Sequence, residues 1–325
     1  MKVLQICSKP PRPSVDGGCK ASNNITEGLL NNNIEVKILT LSTHKHPFQK
    51  QKLSEKYIQS TQIQHVFIDT RVKLLPALVH FFSSKSYNLS RFFCKKFEGL
   101  IVNTLKKEKY HIVLLEGLFV TGYLQAIRKC TDAKVILRSH NVEFEIWERS
   151  AESEKNPIKK FYLNHLAKQL KKDEVAVLNE LDAIASITYK DKKKFIELGC
   201  KKPINVIPFG INLNDYQVNK NNNQFDFFHI GSMDWVPNQQ AIKWFLDKVW
   251  SQVEKKHPEA LINIAGKKMP DWLTHWKQHN VKIIGEVPSA VDFINENKIM
   301  IAPLFSGSGM RVKIIEAMAL GKVVI

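Results

Sequence analysis

Short, dense runs of apolar residues recur along the chain, and between them lie longer stretches whose apolar positions fall three and four residues apart. The first run, KVLQIC at 2–7, is too short for a helix face and predicts a buried strand. A Pro/Gly loop follows, then a helix over about 18–32 and a second strand over 34–41. The same reading predicts strands at 65–68, 112–116, 135–138, 183–187 and 205–207, with helices between them, for example at 87–107 and 157–179. Strands alternating with helices make βαβ units, and βαβ units make a mostly parallel sheet. Near 208–224 the chain turns polar and Asn-rich (PFGINLNDYQVNKNNNQ), which reads as a linker. Then the pattern restarts with a strand at 225–230. Pro237 falls in the first turn of the next helix, where its missing N–H costs nothing. Ile242, Phe245, Leu246, Val249 and Val253 give that helix a core-facing stripe. Strands follow at 260–265, 281–284 and 299–302, then a helix at 309–320 closed by Gly321, and KVVI opens one more strand. A strand so soon after this helix is not a natural edge, so further elements are expected beyond Ile325.

The predicted fold is therefore α/β: two Rossmann-like doubly wound lobes facing across a cleft, residues 1–209 and 210–325, the second incomplete. Ligands of such sheets bind outside the carboxyl ends of the strands, and with two lobes the expected place is between them.

Composition narrows the class. A chain of 325 residues has room for about two domains of ~150 residues. Its 44% apolar and 24% charged residues are those of a soluble globular protein. The five cysteines, Cys7, Cys19, Cys94, Cys130 and Cys200, are scattered, with no C-x-x-C pair. That argues against a disulfide framework or zinc site and suits a reducing cytoplasm. The N-terminus turns polar too early for a signal peptide, and no apolar run approaches the ~18 residues of a membrane span. The net charge of +17 is uneven: residues 1–215 hold 35 basic and 21 acidic side chains, the rest 13 and 10. A basic first half suits an anionic partner, whether nucleic acid, acidic membrane or phosphorylated substrate, and equally suits plain solvated lysines. Leu74, Leu75, Leu78, Val79, Phe81 and Phe82 followed by Arg91, Phe92, Phe93, Lys95 and Lys96 suit a helix lying on an anionic membrane surface, or a core face with cations outside.

The strongest chemical signal is SGSGMRVKIIEAMALGKVV at 306–324, which leaves a strand and opens a helix. Gly307 and Gly309 allow close backbone approach to a ligand. Free N–H groups and the positive end of the helix dipole suit a pyrophosphate, and Arg311 and Lys313 add charge there. The carboxylate of Glu316 is placed to accept hydrogen bonds from ribose hydroxyls. This segment resembles the signature of the retaining family 4 glycosyltransferases. The VDGG loop, the HNVE segment, IPFGIN and GSMDWVPN extend the resemblance over most of the chain.

The resemblance implies a donor site and its residues. Glu316 matches the second acid of the family's E-x7-E motif, which holds the nucleotide ribose. Ser308 stands where the first acid would be, so sugar contacts are expected from the backbone of Gly309 and Met310. Gly17 and Gly18 match the glycine-rich turn bordering donor pyrophosphate and acceptor. His140 matches a histidine near the reacting sugar carbon. Gly231 matches the glycine that opens the second lobe. Relatives place an Arg and a Lys after that glycine, where this chain has SMDWVPN, so Arg311 and Lys313 are expected to supply the charge. Glu286 and Val287 match the loop that reads the base.

Each residue also has a plain structural reading. Gly17 and Gly18 suit an ordinary turn, and His140 a satisfied strand-end histidine. Trp235 is read first as an anchor, Asn141 and Glu143 stay open, and Glu116 is a second strand-end candidate for the acceptor. His44 and His46 are read as surface histidines. With no Asp-x-Asp pair, no metal or other cofactor is expected. With no zinc-finger or RNA-recognition signature, no nucleic-acid partner is expected.

The implied activity is transfer of a sugar from a nucleotide-diphosphate donor to a glycan or lipid-linked acceptor, with retention, in cell-surface polysaccharide or glycan biosynthesis. The catalytic candidates are His140, Arg311 and Lys313, with the leaving phosphate as proton acceptor. The expected location is cytoplasmic, peripheral at the inner membrane face. The alternatives are an epimerase or phosphorylase of similar fold, and a non-catalytic nucleotide-sugar-binding relative.

Overall fold

The computed structural model describes residues 1–73, 80–81, 83, 85–218, 227–305 and 310–325. They divide into two compact units. The first holds Met1–Gly210 and Met310; the second holds 211–305 and Arg311–Ile325.

In the first unit the chain runs β1 (Lys2–Cys7), α1 (Gly17–Asn31), β2 (Glu35–Ser42), β3 (Gln64–Phe67), α2 (Lys95–Lys107), β4 (Ile112–Glu116), β5 (Lys134–Ser139), α3 (Glu143–Glu152), α4 (Pro157–Leu178), β6 (Ala183–Ser186), α5 (Tyr189–Glu197) and β7 (Ile204–Val206). The seven strands form one parallel sheet in the order β3-β2-β1-β4-β5-β6-β7. The order reverses between β1 and β4, the switch point where sheets of this kind open a crevice at their carboxyl edge. Strand β1 is buried on both faces, which explains its unbroken apolar run. One side of the sheet packs Phe97, Ile101 and Leu105 of α2 against Val113, Leu115 and Tyr123. A second cluster joins Cys7, Val36 and Ile38 to Leu53, Tyr57 and Ile63.

The buried polar residue of β1, Gln5, is fully satisfied. Its amide donates to the Ser22 carbonyl (3.2 Å) and to Glu116 (2.9 Å), and its Oε1 accepts from the Thr26 hydroxyl (2.6 Å). These bonds fasten α1 and β4 to β1 across the switch point.

The second unit runs β8 (Phe227–Ile230), α6 (Val236–Trp244), β9 (Ile262–Ala265), β10 (Val281–Gly285), α7 (Ala290–Asn295), β11 (Ile299–Met300), α8 (Val312–Ala319) and β12 (Val323–Val324). Its parallel sheet has the order β10-β9-β8-β11-β12. Trp250, Ile262 and Ile264 centre the core on one face, and Phe228, Ile230, Met300 and Ala317 on the other.

Three sequence expectations are corrected. The helix predicted over 87–107 is broken into Tyr87–Ser90 and Lys95–Lys107. The cause is the Tyr123 hydroxyl, which accepts from the Cys94 N–H (3.0 Å) and donates to the Phe92 carbonyl (2.7 Å). The helix predicted to start at Gly309 starts at Val312, with Arg311 as its N-cap residue. After α6 the helix widens through a π-turn at Phe245–Trp250 before resuming at Ser251–Lys256. Trp250, outside the predicted stripe, is thereby fully buried, and its indole N–H donates to Asn280 (3.1 Å). The predicted linker is described only to Val218 and includes a short 3-10 turn at Leu213–Asp215. Most of the aromatic stretch from Leu74 to Phe82 lies outside the described residues, as do Ser308 and Gly309.

Candidate functional site

Two side-chain constellations stand at the carboxyl ends of the strands, one in each unit.

In the first unit, Asp16 is the N-cap of α1, and its carboxylate accepts from the Cys19 N–H (2.8 Å). Gly17 and Gly18 are the first residues of that helix. A Cβ on Gly18 would stand 2.6 Å from the Lys9 ammonium, which lies across this glycine to reach both oxygens of Asp16 at 2.8 Å. His46 Nε2 lies 2.8 Å from the second Asp16 oxygen. Burial works against ionisation of Asp16, but His46, Lys9 and the Cys19 amide together hold its carboxyl well below the usual range. Ligand atoms of Asp16, Cys19 and His46 lie within 4.8 Å of one another, a grouping that also suits a metal ion. The ammonium of Lys9 already brings positive charge onto that carboxylate. His46 is therefore built into the site rather than spread on the surface. It stands 30 positions after Asp16, a separation that leaves no spacing signal in the sequence.

On the other side of the switch point, Glu116 ends β4 beside Arg138 near the end of β5. Both side chains are buried, and the Glu116 carboxylate accepts from Gln5, Ser22 (3.0 Å), Arg138 (3.3 Å) and His140 Nε2 (2.8 Å). Burial pushes the Glu116 carboxyl up, yet Arg138, His140 and Gln5 together bring it down to about 2. Burial lowers the pKa of His140, with Arg138 and Lys9 acting in the same direction and Glu116 opposing them. Glu116 thus faces His140 and not open solvent.

The next segment carries two more acids. Glu143 opens α3 and accepts from the Asn141 amide at 3.3 Å. Glu174 reaches from α4 to accept the Glu143 and Phe144 N–H groups, both at 3.1 Å, which caps α3 from outside the helix. Burial raises Glu143 to about 7. Burial, and then the neighbouring Glu143, raise Glu174 to about 8. An acid whose folded pKa is raised favours the folded state most at low pH. That contribution is lost as pH climbs from the unfolded value near ~4.3 through about 8. Glu174→Gln keeps a capping oxygen and has no proton to lose. Its stability is expected to fall less than wild type between about pH 5 and 9, by on the order of a few kcal/mol in chemical denaturation. Parallel pH profiles would show that Glu174 is not the group responsible.

In the second unit, Glu316 is fully buried on α8 and is engaged from two sides. The Tyr216 hydroxyl donates to its Oε1 (3.0 Å), and the Lys313 ammonium lies 3.6 Å from its Oε2. The Arg311 guanidinium stacks over the Trp235 ring, 4.5 Å from its centre. Trp235 is thus the support of a cation at the start of α8. Gly231, Gly266 and Gly285 meet at the carboxyl edge of β8, β9 and β10. The Gly266 N–H donates to the Gly285 carbonyl (2.7 Å), and a Cβ on Gly266 would overlap the Gly231 carbonyl. A Cβ on Gly231 would stand 2.7 Å from the Asn238 amide. Val287 packs on the core, while Glu286 is exposed and ion-paired with Lys267 at 3.2 Å. Met310 groups with the first unit, its Sδ 3.2 Å from the Phe209 nitrogen. The structure thus pairs Lys313 with Glu316, sets Arg311 at the N-cap of the same helix, and adds Tyr216 to Glu316 and Trp235 to Arg311. Nothing in the spacing of Tyr216, 100 residues before Glu316, announces that partnership.

Residues 224–325 match the family of glycosyl transferases group 1. Over 224 residues the chain is 27% identical to a Klebsiella pneumoniae protein named as an uncharacterized 44.6 kDa protein in cps region. That match takes in 65% of this chain and 55% of the relative, so the chain spans little more than half of the relative's length. The whole chain is similar to solved two-lobed structures. One is Anabaena Alr3699/HepE in complex with UDP and glucose, at 12% identity and TM-score 0.62, covering 99% of this chain and 79% of that one. Another is a variant of S. aureus TarM in complex with fondaparinux, alpha-GlcNAc-glycerol and UDP, at 12% identity and TM-score 0.62, covering 100% and 85%.

The chain has a group 1 glycosyltransferase-like fold.

In this glycosyltransferase-like fold both constellations occupy the strand ends at which parallel sheets take their ligands. Among the described residues no helix is long and apolar enough to cross a membrane.

Proposed function

We propose that the chain binds a nucleotide-diphosphate sugar on its second unit and transfers the sugar, with retention, to a hydroxyl of a glycan or lipid-linked acceptor held by its first unit. The work belongs to cell-surface polysaccharide or glycan biosynthesis. The observation that carries this reading is the Glu316 arrangement: a buried carboxylate one turn into α8, oriented by Tyr216, with Lys313 beside it and the Trp235-supported Arg311 at the N-cap of the same helix.

A carboxylate in that place accepts hydrogen bonds from the two ribose hydroxyls. Arg311, Lys313 and the N-terminal amides of α8 offset the charge of the diphosphate and stabilise it as leaving group, in the place of a metal. Gly231 leaves room at the strand end, and Glu286 and Val287 border the base. Gly309 and Met310 offer backbone to the sugar, next to Ser308. Gly17 and Gly18 border the acceptor, and His140 contacts the reacting sugar. The match to glycosyl transferases group 1 and the UDP carried by HepE and TarM support a nucleotide-sugar donor. The relative in a cps region supports the polysaccharide setting. Ser308, in place of an acid, favours one second reading, a relative that binds nucleotide sugar without turnover.

Thermal-shift binding with UDP, GDP and their sugar conjugates tests the donor site. A ligand that binds only the native state raises the melting temperature by mass action. Glu316→Ala removes two hydrogen bonds to a charged acceptor, and its affinity is expected to fall on the order of 100-fold or more. Equal shifts for both proteins would place the nucleotide elsewhere.

The acceptor side includes an anionic membrane surface in this proposal. The first two turns of α4 expose Ile158 (80%) and Phe161 (66%), and Lys155, Lys159 and Lys160 are their neighbours in sequence. Co-sedimentation is expected with phosphatidylglycerol-containing vesicles and to weaken at high salt. Equal binding to neutral vesicles would contradict it.

A further inference from the structure

We propose that Glu116 is a positioning residue that holds the proton of His140 on Nε2, and so turns Nδ1 into a hydrogen-bond acceptor for a substrate hydroxyl.

Two acceptors do not rest 2.8 Å apart, so one proton lies between His140 Nε2 and Glu116 Oε2. Glu116 is kept ionised by the buried guanidinium of Arg138, so that proton belongs to the imidazole. Arg138 Nη1 also approaches Nε2, at 3.4 Å. Arg138 has no lone pair and stays protonated, so this approach is not an alternative bond once Nε2 carries its proton. A neutral imidazole with N–H at Nε2 has its lone pair at Nδ1. Nδ1 has no partner among the described residues and is not one of the buried unpaired polar atoms.

The environment keeps the ring neutral. The charged groups facing His140 are Glu116, Arg138 and Lys9, and burial adds to the two cations in opposing the imidazolium. A neutral acceptor nitrogen takes an O–H and has nothing to offer an ionised phosphate oxygen. Under the glycosyltransferase reading, on which this inference rests, His140 therefore receives a hydroxyl of the donor sugar or of the acceptor.

Glu116 itself has no capacity left for substrate. Four donors already converge on its two oxygens: Gln5, Ser22, Arg138 and His140. That number fills the acceptor sites of a carboxylate. Its effect reaches the substrate through His140, and Gln5 and Ser22 hold it from β1 and α1.

The test is two-bond 1H–15N correlation on the full chain labelled with 15N-histidine, with the His140 signals assigned by their loss in His140→Gln. Wild type is expected to show the Nε2–H tautomer at neutral pH; an Nδ1–H signal overturns the proposal. Glu116→Met leaves the Arg138 donor as the neighbour of Nε2, and the proton is expected to move to Nδ1. Retention of Nε2–H in that variant overturns it as well. The isosteric Glu116→Gln removes the charge with little change of shape, and its His140 titration midpoint is expected below that of wild type. An unchanged midpoint shows that Glu116 does not hold the ring. These signals need no turnover, so failure here is separable from failure of the glycosyltransferase reading, which nucleotide binding at Glu316 reports.

Discussion

Gly266→Ala is expected to prevent the second unit from folding. Gly266 has φ +156°, and an added Cβ would stand 1.7 Å from the Gly231 carbonyl oxygen. That neighbour is backbone at the end of β8 and is not free to move. Gly231 N–H donates to the Ala265 carbonyl, and Gly266 N–H to the Gly285 carbonyl, so relief at one point breaks bonds at the others. Backbone strain, overlap and lost hydrogen bonds in one place belong with the largest single-site losses, above about 4 kcal/mol. The first unit has its own core and should survive. Limited proteolysis is expected to leave a resistant fragment ending near Gly210, and nucleotide binding should disappear. A variant with wild-type melting and intact binding would show that the three glycines do not meet as described.

Arg138→Met is expected to cost about 3–5 kcal/mol at neutral pH, because it strands the buried Glu116 carboxylate without its main cation. In wild type the Glu116 carboxyl is lowered to about 2. A depressed acid contributes stability that is present above its unfolded value near ~4.3 and is lost as pH falls through about 2. Without Arg138 the folded carboxyl titrates higher, and the charged form becomes a burden at neutral pH that protonation relieves. The gap between variant and wild type should therefore shrink as pH drops from about 7 to 4.5, measured as urea midpoints. A gap independent of pH would mean that the loss comes from packing of the long Arg138 stem and not from its charge. Removing Arg138 also removes a cation that opposes the His140 imidazolium, so the His140 titration should move upward.

The sheets were legible in the sequence because parallel strands buried on both faces leave near-continuous apolar runs, as in KVLQIC and its partner β4. The restart of that pattern announced the second sheet. Events that depend on one distant side chain were not legible. The break in the helix over 87–107 is made by a hydroxyl from Tyr123, and the inward turn of Trp250 by a single π-turn. The same holds at the candidate site. Glu316, Arg311 and Lys313 share one helix start, so spacing found them. Tyr216 and Trp235, which orient them, come from other elements. Lys9 and Asp16 lie on the loop after β1 and His46 on the loop after β2, and they meet only because β1 and β2 are neighbours in the sheet. Glu116 was visible as a strand-end acid. Its saturation by four donors, which excludes it from substrate contact, is a property of packing alone.

Transfer is separated from mere binding by release of nucleotide diphosphate from UDP- and GDP-sugars by the purified chain in EDTA, with and without a lipid-linked glycan fraction as acceptor. The proposed function predicts release that requires acceptor, survives the chelator, and is lost in both Glu316→Ala and His140→Ala. The anomeric coupling of the product, read by proton NMR, should match that of the donor. Nucleotide binding without any acceptor-dependent release would contradict transfer and favour a nucleotide-sugar-binding protein, and an inverted product would contradict retention.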